Sequence, residues 1–421
     1  MAAHPAAPMT AATTPVSQEL NRHVATVQPS ATLAVSARAK ALRRQGHDVV
    51  SLSAGEPDFD TPAAILEAGH EALRDGATHY TANTGTPELR EAIAAKLARD
   101  NGLDVSPEHV VCSNGAKQSV AQAILAVCGP GDEVVVPAPY WVSYPEMARL
   151  AGATPVPVPT SAASGYRMSP DELAGALTER TRVVMLTTPS NPTGAVYAPD
   201  EIRALADVLR DHPRALVVAD EIYEKVMFDA EHLSIASLDG MAARTATCNG
   251  FSKAYAMTGW RLGYLAAPAW WARACATIQS QFTSAPSSIS QRAGVAALEM
   301  DEAPIRAMVE AFRARRDAFH ARLTALGGLP RGAGGVACPL PEGAFYLFPD
   351  VSAVYGRRTP GGKTIGGSAD LCLYLLEEHG VALVPGVAFG DDRGVRISYA
   401  AGMDTLMDAA DRIEAGLGAL R

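Results

Sequence analysis

Ala215-Leu-Val-Val-Ala219, followed at once by Asp220-Glu-Ile-Tyr223, decides the fold. Five apolar residues without a charge are too few for a helix and suit a strand buried on both faces, the kind that parallel sheets contain. Val134-Val135-Val136 and Val183-Val184-Met185-Leu186 are runs of the same type. Between such runs lie helical stretches: Ala116 to Val127, stopped by Cys128-Gly-Pro-Gly131, and Ile202 to Leu209. Strand, helix and strand in alternation with short links predict an α/β layer fold, its sheet mainly parallel with helices on both faces.

Further along, the pattern changes. Near residue 305 one long charged helix begins, Ile305 to Leu326, and Gly- and Pro-rich loops follow around 327–343 and 356–367. This marks the passage into a smaller α/β domain at the C-terminal end. A segment with its own helix, Ala31 to Gln45, is expected to pack with it. The expected division is a disordered tail over 1–16, an N-terminal segment over 17–61, a large domain over 62–304, and a linking helix with the small domain over 305–421. The first sixteen residues are rich in Ala, Pro and Thr, with neither the apolar block of a signal peptide nor the Arg of a transit peptide.

Composition narrows the function. The 421 residues carry 36 Lys and Arg against 45 Asp and Glu, a net charge of −9, which disfavours nucleic acid and anionic membranes as partners. No apolar run approaches the ~20 residues a bilayer span needs. Six cysteines stand far apart with no Cys-x-x-Cys pair, as expected for reduced thiols of a cytoplasmic protein. Ten histidines include no His-Glu-x-x-His and no Cys/His cluster, so no metal is expected. Gly332-Ala-Gly-Gly-Val-Ala337 has the letters of a dinucleotide fingerprint but neither the preceding strand nor the following helix. No Gly-x-Ser-x-Gly elbow is present.

Four segments place reactive side chains just after apolar runs: Asn191-Pro-Thr-Gly194, Asp220-Glu-Ile-Tyr223, Asn249-Gly-Phe-Ser-Lys253 continuing to Arg261, and Ser113-Asn-Gly-Ala-Lys117. In open parallel sheets ligands collect beyond the carboxyl ends of strands, so these segments should converge. Backbone N–H groups at the helix start after Gly115 suit a phosphate, and Arg261 adds a fork for it. A strand-end Asp can hold a protonated ring nitrogen, and a desolvated Lys253 can form an imine with an aldehyde. Phosphate, aldehyde and basic ring nitrogen together describe pyridoxal 5′-phosphate. Taken singly, each residue also has an ordinary reading. Asp220 and Asn191 suit caps or turns, and lone Lys or Arg suit a solvated surface. Tyr80, Trp141 and Tyr223 suit a core or its rim, and Lys117 an exposed helix face.

Gly250-Phe-Ser-Lys253-Ala-Tyr-Ala-Met-Thr-Gly259-Trp-Arg261-Leu-Gly263 resembles the lysine signature of class I aminotransferases at every constrained position. Asn191-Pro-Thr-Gly, Asp220-Glu-Ile-Tyr, Ser53-Ala-Gly55-Glu-Pro-Asp-Phe, Pro139-Tyr-Trp141 and Arg396-Ile-Ser-Tyr follow in family order. The likeness runs from about residue 20 to the C-terminus and is greatest to bacterial aspartate aminotransferases.

The resemblance implies a pyridoxal-phosphate enzyme of fold type I that moves an amino group from aspartate to 2-oxoglutarate. Lys253 would be the Schiff-base lysine and proton shuttle, and Asp220 the partner of the ring nitrogen. Asn191 and Tyr223 would bind the phenolic oxygen, and Trp141 would stack on the ring. Gly115, Ala116, Ser252 and Arg261 would serve the phosphate, with Tyr80 reaching the phosphate of a neighbouring subunit in a homodimer. Arg396 would grip the substrate α-carboxylate beside Asn191, Trp141 and Gly55, and Lys117 would meet a distal carboxylate. Two positions depart from many relatives: Gly250 stands in place of Ser, and Gln28 in place of Lys before Pro29-Ser-Ala-Thr32. The same scaffold also admits prephenate, aromatic or other neutral substrates. A cofactor-binding regulator without turnover is a more distant reading, for which the short tail leaves no room for a fused DNA-binding domain.

Overall fold

The computed structural model describes residues 19–325 and 338–421. The tail over 1–16 and the Gly332–Ala337 stretch lie outside the described residues. Seven strands form the central sheet in the spatial order Val110–Ser113, Gly263–Ala266, Thr245–Gly250, Leu216–Asp220, Thr181–Thr187, Glu133–Ala138, Thr154–Pro159. The last five run parallel, while Gly263–Ala266 is antiparallel to both of its neighbours. Alternation along the strands explains the unbroken apolar runs. Val134, Val136, Val183, Met185 and Val218 face one buried cluster; Val135, Val184, Leu186, Val217 and Ala219 face another. Successive residues point to opposite faces, so a sheet covered on both sides needs both sets apolar. Each buried Val, Leu or Met among them contributes roughly 1.5–3 kcal/mol.

The helices exceed their apolar cores where capping chemistry extends them. The expected Ile202–Leu209 segment becomes Pro199–Arg210, with Pro199 at the first turn and the Glu201 carboxylate accepting from the Ala198 N–H at 2.8 Å. The long helix is Ala303–Thr324 and packs against Met403–Ala419. Two short sheets lie apart from the central one. Val50–Ser51 pairs in parallel with Val381–Ala382, and Val395–Ser398 runs antiparallel between Val384–Pro385 and Tyr346–Leu347. The Ala31–Arg44 helix packs on the strands near residues 381–385.

The antiparallel strand governs the site and was not legible as a strand. It is only four residues long, and it follows a non-regular loop, 251–262, that returns to the sheet it left. Gly250 pairs with Gly263, and the Phe251 N–H donates to the Leu262 carbonyl at 3.3 Å, so the loop is closed at its neck. A Cβ on Gly250 would lie 2.9 Å from the Gly263 Cα, so a side chain at this position would crowd the neck of the loop. A Cβ on Gly263 would lie 2.2 Å from the Ala116 nitrogen, because this strand rests directly on the start of the Ala116–Leu125 helix. Backbone atoms cannot yield as a flexible side chain can. Gly263→Ala is therefore expected to destabilise the protein by about 1–3 kcal/mol or more, read as a lower urea midpoint with unchanged slope.

Candidate active site

Asp220 ends the Leu216–Asp220 strand opposite Thr187 of the neighbouring strand. Its side chain is buried, and burial pushes its pKa up to about 6, although the Tyr144 hydroxyl and the Ile222 N–H both oppose the shift. Tyr144 Oη donates to Asp220 Oδ2 at 2.7 Å and accepts from Thr187 Oγ1 at 2.8 Å. Tyr144 opens the Tyr144–Leu150 helix, and its ring meets Trp141 edge to face at 5.3 Å. The carboxylate is thus aimed by a tyrosine that is itself held from two sides.

Lys253 lies in the loop clamped by the glycine pair, and its ammonium donates to the Gly55 carbonyl. Removal from water pulls its pKa down to about 8, Glu56 opposing and Arg396 and Arg261 adding to the fall. Two non-glycine residues of this loop, Ala256 and Arg261, have φ of +49° and +53°. Such backbone costs free energy and persists where surrounding contacts impose it, often at functional sites. Arg261 donates to the Thr258 carbonyl at 2.9 Å and the Asn114 carbonyl at 3.3 Å. Gly115, at φ +87°, caps the Ala116–Leu125 helix, and a Cβ there would come within 2.5 Å of the Arg261 guanidinium. The cradle thus combines a helix start with one arginine fork, the donor set that suits a phosphate.

Arg396, 1% exposed, lies in the Val395–Ser398 strand. It donates to Asn191 Oδ1 at 3.0 Å and to the Ser53 carbonyl at 2.7 Å, with its guanidinium 4.7 Å from the Tyr346 ring centroid. Its Nε is buried without a partner among the described residues. A buried cation held only by neutral oxygens leaves room for an anion. Tyr223 Oη and Tyr346 Oη are 2.8 Å apart, and burial keeps the Tyr223 phenol well above its ordinary range.

These groups line one cavity of about 570 Å³, walled by Gly55, Ala116, Lys117, Trp141, Asn191, Asp220, Tyr223, Ser252, Lys253, Arg261 and Arg396. The Lys117 ammonium lies 5.0 Å from the Trp141 ring centroid; burial and then Arg261 lower its pKa. Tyr80 is elsewhere: it is 99% exposed and borders an open depression with His79 and Arg292. Tyr144, Thr187 and Tyr346 were not anticipated. Tyr144 and Tyr346 sit in aromatic, apolar surroundings that read as core, although Tyr144 follows Trp141 by three positions and Tyr346 ends Gly343-Ala-Phe-Tyr346. The donor set fits pyridoxal phosphate: a phosphate cradle, a buried carboxylate beside the cavity, phenol and amide groups, and one desolvated amine. In the cofactor-free protein, modification of Lys253 by an amine-selective reagent, followed by peptide mass spectrometry, is expected to rise through a midpoint near pH 8. A midpoint near the ordinary lysine value of ~10.4 contradicts the desolvated placement.

Residues 47–413 match the family model for aminotransferases of class I and II. The chain is 53% identical over 402 residues to a bifunctional aspartate aminotransferase and glutamate/aspartate-prephenate aminotransferase of Petunia hybrida, covering 94% of this chain and 82% of that one. It is 46% identical to an aspartate/prephenate aminotransferase of Cereibacter sphaeroides, covering 94% of this chain and 98% of that one. Its structure matches the aspartate aminotransferase of Rhizobium meliloti with a TM-score of 0.91 at 42% identity, over 96% of this chain and 100% of that one. The site geometry, the family model and these relatives agree, and the chain belongs to the class I and II aminotransferases, pyridoxal-phosphate-dependent enzymes.

Proposed function

We propose that the chain moves the amino group of L-aspartate to 2-oxoglutarate, giving oxaloacetate and L-glutamate, in two half-reactions at the cavity around Lys253. The observation that carries this reading is the meeting of a buried carboxylate, a desolvated amine and an anion-ready buried arginine around one cavity. When bound, the cofactor supplies an aldehyde for the amino group and a protonated ring that draws electron density from the substrate α-carbon. Asp220 holds the proton on the ring nitrogen by a charge-assisted hydrogen bond, and Tyr144 keeps its carboxylate oriented. Asn191 and Tyr223 would bind the phenolic oxygen, and Trp141 would lie against the ring. Gly115, Ala116, Ser252 and Arg261 hold the phosphate. The Lys253 amine, freed once substrate takes its place, would take the proton from the substrate α-carbon and pass it to the carbon that carried the cofactor's aldehyde. Arg396 binds the α-carboxylate with Asn191 and Gly55 beside it, and Lys117 meets the distal carboxylate.

The reading includes a homodimer, in which the exposed Tyr80 reaches the phosphate site of a second copy. A cytoplasmic setting is supported by six free cysteines, five of them buried. Among the described residues no helix is long and apolar enough to cross a membrane. A second reading, transamination of prephenate on the same residues, is favoured by Lys40 and Arg43, which add cations to the cavity wall. It also accords with the names of the Petunia and Cereibacter relatives.

Assay of the purified holoenzyme with a panel of amino donors and 2-oxoglutarate is expected to give the highest kcat/KM for aspartate, and Lys253→Ala no turnover. Appreciable turnover by Lys253→Ala contradicts the mechanism. A neutral donor surpassing aspartate contradicts the substrate. Arg396→Ala is expected to raise KM for every donor by tenfold or more, on the order of the ~2–5 kcal/mol a buried charged contact is worth. Lys117→Ser is expected to raise KM for dicarboxylic donors alone, and an equal rise for alanine removes Lys117 from that contact.

A further inference from the structure

Behind Asp220 lies a second set of ionisable groups, Lys96 and Glu221 buried and Glu224 and His232 nearly so, that the transfer chemistry does not use. Glu221, next in the chain, does not line the cavity; its carboxylate accepts from Ser234 Oγ at 2.7 Å and Asn101 Nδ2 at 3.1 Å. Glu224 accepts from Asn101 Nδ2 at 2.6 Å and pairs with the Lys96 ammonium, which also donates to Asn101 Oδ1 at 2.7 Å. His232 Nε2 stands 3.1 Å from Glu221 Oε2 and 4.0 Å from Glu224 Oε2. Both ring nitrogens of His232 are sealed from solvent and lack an aligned hydrogen-bond partner among the described residues, with the Glu221 carboxylate facing Nε2 across the short gap.

The count of charges is informative. Lys96 contributes +1, and Glu221 and Glu224 contribute −1 each, so these three sum to −1. A protonated His232 brings the buried set to zero. Leaving a net charge in so dry a place is costly, which favours the imidazolium. Burial alone would lower the pKa of His232, but Glu221 and then Glu224 outweigh it and raise the value above the ordinary range. Beyond the set, Glu224 acts through space on the Tyr255 and Tyr264 phenols, raising their pKa after burial, and Lys225 is already paired with Asp100 and Glu302. On the cavity side Asp220 meets the Tyr144 hydroxyl, Lys253 acts on it through space, and Asp220 in turn helps burial raise the pKa of the Cys248 thiol. Glu221 is the charge that disfavours ionised Asp220.

We propose that His232, as an imidazolium, is a positioning residue for transamination: with Lys96 it cancels the charge of Glu221 and Glu224 and so sets the electrostatic potential at Asp220. This rests on the reading of Asp220 as the partner of the ring nitrogen. An uncompensated negative charge behind Asp220 favours every proton bound at the site, so its sign is predictable. In the holoenzyme, the pH midpoint of the cofactor's visible absorption band is expected to move upward in His232→Gln, by on the order of one pH unit. The double variant Glu221→Gln/His232→Gln, whose buried set is neutral again, is expected to return the midpoint to the wild-type value.

A purely structural role for His232 would not reverse when a second group is removed. An unmoved midpoint in His232→Gln, or a double variant that stays displaced, overturns the inference. Should either variant fail to fold, nitrogen-15 NMR of the wild-type holoenzyme decides: a protonated His232 ring at pH 7 supports the inference and a neutral ring overturns it. Asp220→Asn separates the two levels. If that variant keeps the wild-type midpoint and turnover, the assignment of Asp220 itself fails. If it loses them while His232→Gln leaves the midpoint unmoved, only the inference about His232 fails.

Discussion

A carboxylate and an amine share one poorly hydrated cavity, and their opposed pKa shifts are the constraint on which the site depends. Asp220 is displaced upward to about 6 and Lys253 downward to about 8, each because its charged form is short of water. In solvent neither group is near neutrality. Here a small further interaction decides whether each holds its proton, the condition that acid–base work at neutral pH requires. The Tyr144 hydroxyl prevents Asp220 from going further by donating to its carboxylate. The cations at Arg396 and Arg261 work in the other direction on Lys253.

Such a balance needs fixed distances, and the backbone provides them at the neck of one loop. The Gly250–Gly263 pair closes the segment that carries Lys253 and Arg261, and Gly263 presses on the helix start at Ala116. Amine, guanidinium and helix terminus therefore cannot move independently. The positive φ values of Ala256 and Arg261 are a local cost of that arrangement, sustained by the sheet on both sides. Antiparallel pairing in an otherwise parallel sheet is what allows the chain to leave the carboxyl end of Thr245–Gly250, make the loop and return beside that same strand.

The parallel strands were legible because a sheet covered on both faces demands unbroken apolar runs, as in Val183–Leu186 and Ala215–Ala219. The motif residues around Asn191, Asp220, Lys253 and Arg396 were legible because reactive types follow those runs directly, and the structure gathers them on one cavity. What escaped notice has physical causes. Gly263–Ala266 is too short to show a period, and its pairing depends on a distant glycine. Tyr144 and Tyr346 look apolar in sequence, since a phenol's single polar atom shows its use only once its partner is placed. Tyr80 lies away from the cavity within one chain, so its assignment rests on assembly. Nothing in the sequence marks Glu221, because it belongs to a charged set, mostly withdrawn from water, whose members, at 96, 101, 221, 224, 232 and 234, come from separate parts of the chain.

Net charge and local charge differ in sign, and the difference bears on substrate choice. The chain as a whole carries −9, which repels a dicarboxylate at long range. The cavity wall holds Lys40, Arg43, Lys117, Lys253, Arg261 and Arg396 against Glu56 and Asp220. Beyond a Debye length of about 8 Å at physiological salt the overall charge is largely screened, whereas charges in a low-dielectric cleft are not. An amino acid with two carboxylates and one ammonium therefore meets attraction only at the mouth of the cavity, and one with a neutral side chain gains much less from the same wall. In the proposed reading Arg396 meets the carboxylate common to all amino acids, and Lys117, Lys40 and Arg43, which are committed to neither cofactor nor α-carboxylate, supply the difference between acidic and neutral substrates.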